Sequence, residues 1–415
     1  MTAREQGAKV AQAEGGLLET VRRRLMGAYP DLLSRARFDD AGRESVKRAI
    51  RQILISDGLA ADRATREELI PLLFEEIAGY GPLEPLLADP EVTEVMVNGN
   101  LEVWVERGGR LEATRASFRD EAHVHDVISR MLAATGRRVD LSQPYVDARL
   151  PDGSRINAVI PPVSVDGPAL TIRRFSSALA GPQDLVRLGT LREEELDALR
   201  LAVEGRLNIV ISGGASSGKT TFLGALAAYI RLDRERVITI EDAAELRFGH
   251  GNVVRLECRP PNIEGKGQVD QRQLVRNALR MRPDRIVVGE CRGGEAFDML
   301  QAMNTGHPGS MTTVHANGPA DALRRLEIMV LMAGEGLPYE AVRDHISSAV
   351  DVIVHLGRRP DGSRVVSEVC VVHGYSPRTA GYELAKADRS RALPLSAEQA
   401  ERVEVFRGGG GSGGA

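Results

Sequence analysis

One stretch constrains this chain more than any other: LNIVISGGASSGKTTFLGALAAYIRL, beginning at Leu207. LNIVIS is a short apolar run dense in β-branched residues, which suits a buried parallel strand. KTTFLGALAAYIRL carries helical spacing. Between them, Gly213-x-x-x-x-Gly218-Lys219-Thr220 matches the phosphate-binding loop in full, with a strand before it and a helix after it. Glycines let the backbone curl until several N–H groups point at one phosphate. The following helix adds the positive end of its dipole. On this reading Gly213, Gly214, Ala215, Ser216, Ser217, Gly218, Lys219, Thr220 and Thr221 hold a nucleoside triphosphate. Lys219 reaches the β- and γ-phosphates, and Thr220 offers its hydroxyl to Mg²⁺.

Strand–helix alternation continues on both sides of this motif. RVITIED, DRIVVGE and SMTTVHA read as further short strands that end in polar residues. Such alternation implies an α/β fold with a doubly wound, mostly parallel sheet and ligands at the carboxyl ends of its strands. Upstream the pattern differs. Residues 1–15 are small and polar, and their composition reads as disordered. Residues 16–74 read as a helical bundle, with LLETVRRRLMGAYPDLL and ESVKRAIRQILI carrying apolar residues three and four apart. Residues 75–177 read as an α+β domain, with hairpins turning at Gly108-Gly109 and Asp152-Gly153. Residues 178–189 read as a linker, 190–405 as the nucleotide-binding domain and 406–415 as a flexible Gly/Ser tail.

A phosphate-binding loop names a ligand, not a reaction. Hydrolysis needs one carboxylate near Mg²⁺ and another to orient or deprotonate the attacking water. VITIEDAAEL presents Glu241 at a strand end and DRIVVGE presents Glu290 at another. Spacing alone does not tell the two roles apart. In NTGHPGSMTTVHANGP, His307 and His315 flank a strand and stand where a γ-phosphate could be sensed. Arg272, Arg276 and Arg280 recur every four residues, forming one helical stripe that faces either solvent or a neighbour's phosphates. Lys plus Arg total 54 against 58 Asp plus Glu, a net charge of −4. That balance, with no aromatic stacking platform beside a basic stripe, argues against a nucleic-acid partner. Cys258, Cys291 and Cys370 lie too far apart to form a zinc module and fit a reducing cytosol.

Taken together, these segments resemble the ATPases of type II and type IV secretion systems. ITIEDAAEL resembles their acidic box, DRIVVGECRGGEA their second nucleotide motif, and TGHPGSMTTVHANGPADALRRLE their histidine box. YGPLEPLL, EVMVNG, VDARLPDGSRINAVIPP, LTIRRF, LRMRPDRIVVGE and SSAVDVIVHL resemble most the tight-adherence (Tad/Flp) pilus ATPases of CpaF type. The resemblance implies a PAS-like N-terminal domain, a RecA-like motor domain and a homohexamer. It implies ATP and Mg²⁺ as cofactors, with Glu241 on the attacking water and Glu290 on the metal. It brings Arg149, Arg155 and Arg173, with Arg174 adjacent, towards the nucleotide, and Arg276 and Arg280 remain candidates for a neighbour's site. The expected place is the cytoplasm, peripheral to the inner membrane through platform proteins. Three other readings stay open: a type IV DNA- or effector-transfer ATPase, a nucleotide-gated ring with little turnover, and a DNA or RNA motor.

Overall fold

The computed structural model describes residues 3–29, 40–59, 62–133, 135–174, 181–259, 261, 266–379, 381–388 and 392–408. The chain forms two compact units, Met1–Ser176 and Ser177–Ala415. In the first unit, helices Ala3–Ala28, Asp40–Ser56 and Arg63–Ile77 share a core built around Val21, Leu25, Ile50, Leu54, Leu73 and Phe74. Asp62 starts the third helix by accepting the Thr65 amide at 2.8 Å. The first helix begins at Ala3, inside the stretch whose composition reads as disordered. AREQGAKVAQAE holds no proline and is rich in good helix formers, so local propensity overrides its low hydrophobicity.

After these helices come β1 (Val92–Asn98), β2 (Glu102–Arg107), β3 (Arg110–Ala113), β4 (Tyr145–Arg149), β5 (Arg155–Val159) and β6 (Ala169–Arg173). They form one antiparallel sheet in the order β3-β2-β1-β6-β5-β4. Helix Glu121–Ala133 packs Val124, Val127, Ile128 and Met131 against the sheet residues Val95, Val105, Ile156 and Ile172. Alternate strand residues therefore face away from this core.

The second unit holds β7 (Ile209–Gly213), β8 (Val237–Glu241), β9 (Val253–Glu257), β10 (Arg285–Cys291), β11 (Met311–His315), β12 (Val352–Arg358), β13 (Arg364–Ser376) and β14 (Gly381–Lys386). Their order is β14-β13-β12-β7-β11-β10-β8-β9. From β12 to β9 every pairing is parallel, while β13 and β14 add an antiparallel edge. Apolar clusters cover both faces of the sheet. One contains Met299, Leu323, Leu326 and Ile346 from three helices, and the other contains Leu199, Phe222, Leu223 and Val403 from three more. This is the doubly wound, RecA-like P-loop ATPase fold. Helix Lys219–Ala227 stops short of the expected Leu232. The stretch expected to link the units, 178–189, contains a short helix, Gln183–Arg187, while its residues 178–180 lie outside the described residues. The last helix runs on to Gly408, and residues 409–415 of the expected tail also lie outside the described residues.

The amino ends of the parallel strands are tied by buried polar groups. The Asn208 side chain accepts the Gly309 amide (2.8 Å) and the Ser310 amide (3.1 Å) and donates to the Ala349 carbonyl (2.7 Å). Its backbone N–H donates to Asp351 at 2.7 Å. Arg285, 1% exposed, grips Glu235 through Nε (2.6 Å) and Nη2 (3.2 Å) and donates to the Val203 carbonyl at 2.8 Å. A buried guanidinium with full partners is stable, and its removal leaves the buried Glu235 with Arg206, 3.2 Å away, as its remaining ion-pair partner. Arg285→Ala should lower the stability of this unit by about 3–5 kcal/mol in urea unfolding. Adding Glu235→Leu to an Arg285→Met variant should restore most of the loss.

Candidate active site

The parallel order places the carboxyl tips of β7, β11, β10 and β8 side by side. From β7 the chain enters the phosphate-binding loop, with Ser216 at φ +54 and Gly218 at φ +86. Gly213 is forced by packing. A Cβ there would lie 2.5 Å from Ser217 Oγ and 2.7 Å from the Leu356 carbonyl oxygen. Lys219 opens the following helix and is buried. Its Nζ donates to the carbonyls of Gly214 (2.8 Å) and Gly213 (3.2 Å) and lies 3.3 Å from His315 Nε2. Ser217 Oγ is buried with no hydrogen-bond partner among the described residues.

His315 ends β11, level with Gly213. Its Nε2 lies 3.0 Å from Glu290 Oε1, off the direction a hydrogen bond needs, so that buried oxygen lacks a donor. The other Glu290 oxygen accepts Arg292 Nη2 at 2.9 Å, and Arg292 Nη1 lies 3.3 Å from Asp242. Burial holds the His315 pKa below the ordinary imidazole value, with Lys219 and Arg292 adding to the shift and Glu290 opposing it. Lys219, His315, Glu290, Arg292 and Asp242 thus form one contiguous chain of charged and titratable groups. Sequence reading passed over Arg292, although it stands two residues after Glu290.

Glu241 is placed differently. At 2% exposure it accepts the amides of Glu245 (2.9 Å) and Leu246 (3.0 Å), pinning the irregular segment after β8. Burial raises its pKa above the usual carboxylate range, against those two amides. Gly289 on β10 makes room for it, since a Cβ there would meet Glu241 Cγ at 2.9 Å.

His307 is a correction. It precedes β11 at the amino end of the strand, while His315 closes the carboxyl end. From Met311 to His315 the strand advances four steps, about 13 Å, and His307 precedes it. The two histidines are close in sequence only because the strand between them is short.

Part of the arginine stripe is paired within the chain, while Arg276 stays half exposed. Arg272 Nε and Arg276 Nε both donate to Asp298, at 2.7 and 2.9 Å, which ties their helix to Glu295–Asn304. Arg280 donates to the Arg276 carbonyl at 2.7 Å.

In the first unit, Arg149, Arg155 and Arg173 stand directly opposite one another across β4, β5 and β6. They share the face turned away from helix Glu121–Ala133. Glu94 on β1 continues the row opposite Arg173, 3.8 Å from its guanidinium. Arg174 departs from this set. Its guanidinium donates to the carbonyls of Val92 (2.9 Å) and Asp89 and holds the start of β1.

A loop that collects amides and an ammonium, beside carboxylates and histidine on adjacent strand tips, defines a P-loop ATPase. Residues 76–404 match the family model described as type II/IV secretion system protein, and the chain belongs to that family. A Mycobacterium tuberculosis protein named putative conjugal transfer protein Rv3659c is 39% identical over 324 residues, spanning 77% of this chain and 91% of its own. The type IV secretion system protein VirB11 of Brucella suis is 36% identical over 327 residues, spanning 72% and 89%. The X-ray structure of the Yersinia pseudotuberculosis ATPase DotB superposes with a TM-score of 0.52 at 19% identity, over 70% of this chain and 77% of that one, which is a likeness of fold.

The donors here fit Mg²⁺-ATP. Among the described residues Glu290 Oε1 and Ser217 Oγ are buried oxygens without a hydrogen-bond partner, and the Lys219 ammonium stands beside them at the start of the loop's helix. Thr220 and Glu290 would be the residues to hold a metal there, and its charge would neutralise phosphate oxygens. Because Gly213 has no room for a methyl group, Gly213→Ala should cost about 1–3 kcal/mol in thermal or urea unfolding. Gly214→Ala, with nothing within 4 Å of its Cβ, should cost far less.

Proposed function

We propose that this ATPase works as a hexameric motor of a type IV secretion machine, turning ATP hydrolysis into movement at the inner membrane. The observation that carries the catalytic half is the Lys219–His315–Glu290 cluster at the mouth of a complete phosphate loop. The named relatives carry the other half, since they include conjugal transfer and type IV secretion proteins. Among the described residues no helix is long and apolar enough to cross a membrane; attachment through platform partners is part of this proposal. A second reading, a Tad/Flp pilus motor of CpaF type, is favoured by VDARLPDGSRINAVIPP and LTIRRF. Deleting the gene in its host separates the two. Loss of DNA or effector transfer with pili intact supports the first, and loss of pili supports the second.

In the reaction, Lys219 and the loop amides fix the β- and γ-phosphates. Glu241 takes the proton of the attacking water, a role its raised pKa favours. Glu290 is the metal-side carboxylate. His315, placed between Glu290 and the lysine, responds when the γ-phosphate leaves. The row Arg149, Arg155 and Arg173 is offered to the nucleotide of a neighbouring subunit.

Lys219→Ala should abolish steady-state phosphate release while the melting temperature holds, and full turnover in that variant would sink the motor reading. Glu241→Gln should retain Mg²⁺-ATP and lose about 10²–10⁴-fold in kcat. Glu290→Gln should instead shift the Mg²⁺ dependence to higher concentration. Specific activity should rise with protein concentration as rings assemble, and a monomeric fraction with full activity would exclude the cross-subunit arginines.

A further inference from the structure

β12 runs parallel beside β7, with Leu356 opposite Gly213. It continues through Gly357 and Arg358, past the first glycine of the loop, before the chain turns. The turn is tight. Gly362 N donates to Arg359 O at 2.9 Å, and Arg359 N to Ser363 O at 2.8 Å. The Asp361 carboxylate accepts Ser363 N (2.8 Å) and Oγ (2.7 Å). β13 then returns with Arg364 directly opposite Arg358. This hairpin stands beside the phosphate loop, on the side of β7 away from β11.

Arg364 reaches across that loop. Its Nε donates to the Ser216 carbonyl at 3.2 Å, and its Cδ lies 2.9 Å from where a Cβ on Gly218 would be. Register puts Arg358 and Arg364 on the same sheet face as Leu356 and Val366, which cluster with Phe222 and Leu223 of the loop's own helix. Both guanidinium groups therefore belong to the face that carries the phosphate loop.

A nucleotide has two ends, and this site has two sides. Lys219, His315 and Glu290 gather on the β11 side, where the terminal phosphate belongs. We propose that the β12–β13 hairpin is the second wall of the nucleotide site, and that Arg364, with Arg358, binds the α-phosphate. The inference rests on the nucleotide-binding reading of the loop and adds the orientation of the ligand. A planar guanidinium fork suits phosphate oxygens. The contact is made alike to ATP and ADP, so it contributes affinity rather than rate.

Arg364→Ala, Arg364→Lys and Arg358→Ala in the full chain test this, using ADP affinity, ATP KM and kcat, and inhibition by pyrophosphate with Mg²⁺. In Arg364→Ala, ADP affinity should fall and ATP KM should rise, each about tenfold. Arg364→Lys should lose less. Pyrophosphate has no α-phosphate, so its inhibition constant should stay at the wild-type value. Unchanged ADP affinity overturns the proposal. So does an equal loss for ADP and pyrophosphate, which would mean that Arg364 only shapes the loop through Ser216. A fall in kcat at constant KM places the arginine at the terminal phosphate and overturns it as well. If Arg364→Ala fails to fold, Arg358→Ala is read by the same criteria. A wild-type chain that binds neither ADP nor pyrophosphate instead refutes the reading of the loop itself.

Discussion

A buried ammonium group must find acceptors, and the Lys219 amine organises the site around that need. It draws the Gly213 and Gly214 carbonyls inward, which sets the curl of the loop. The amides of a loop so curled are left to point at a ligand. His315, held short of protonation by burial and by the same ammonium, places its ring between the lysine and Glu290. Arg292 then balances Glu290 and Asp242. Each group depends on its neighbour for charge, so a change at one end of the chain reaches the other.

This arrangement holds only because the strand tips are level. Parallel strands can slip, and a slip of one residue turns every side chain over. The polar hub at their amino ends opposes that. Asn208 clamps the segments before β11 and β12, and Arg285 closes the gap beside Glu235 and Val203. The hub lies at the opposite sheet edge from the chemistry, yet it fixes the register that brings Gly213, His315 and Leu356 level.

Glu241 and Glu290 divide the work of two acidic strand ends. Similar in sequence setting, they differ in their surroundings. Glu241 is closed in by two loop amides and made room for by Gly289. Glu290 faces the histidine and keeps one oxygen without a donor. The two amides fix where the Glu241 carboxylate sits beside the strand tips, and the open oxygen of Glu290 suits it to a ligand.

The strand–loop–helix of the phosphate cradle, the doubly wound sheet and the two acidic strand ends were legible in the residues, because local spacing and glycine content dictate them. Hairpins at Gly108-Gly109 and Asp152-Gly153 were legible for the same reason. The edge strands β13 and β14 were not, nor were β9 and β12, since their apolar residues acquire meaning only when a neighbouring strand supplies the pairing. His307 looked equivalent to His315 until the strand between them was seen to point them to opposite edges. The pairing of Arg276 with Asp298, 22 residues away, appears only in the fold. Arg292 lies within the DRIVVGECRGGEA segment, but its pairing with Glu290 and Asp242 is set by the fold, and Arg364 carries no motif. Local chemistry chose the phosphate loop, whereas long-range packing chose which charges surround it, because a side chain's partners are set by the path of the backbone through space.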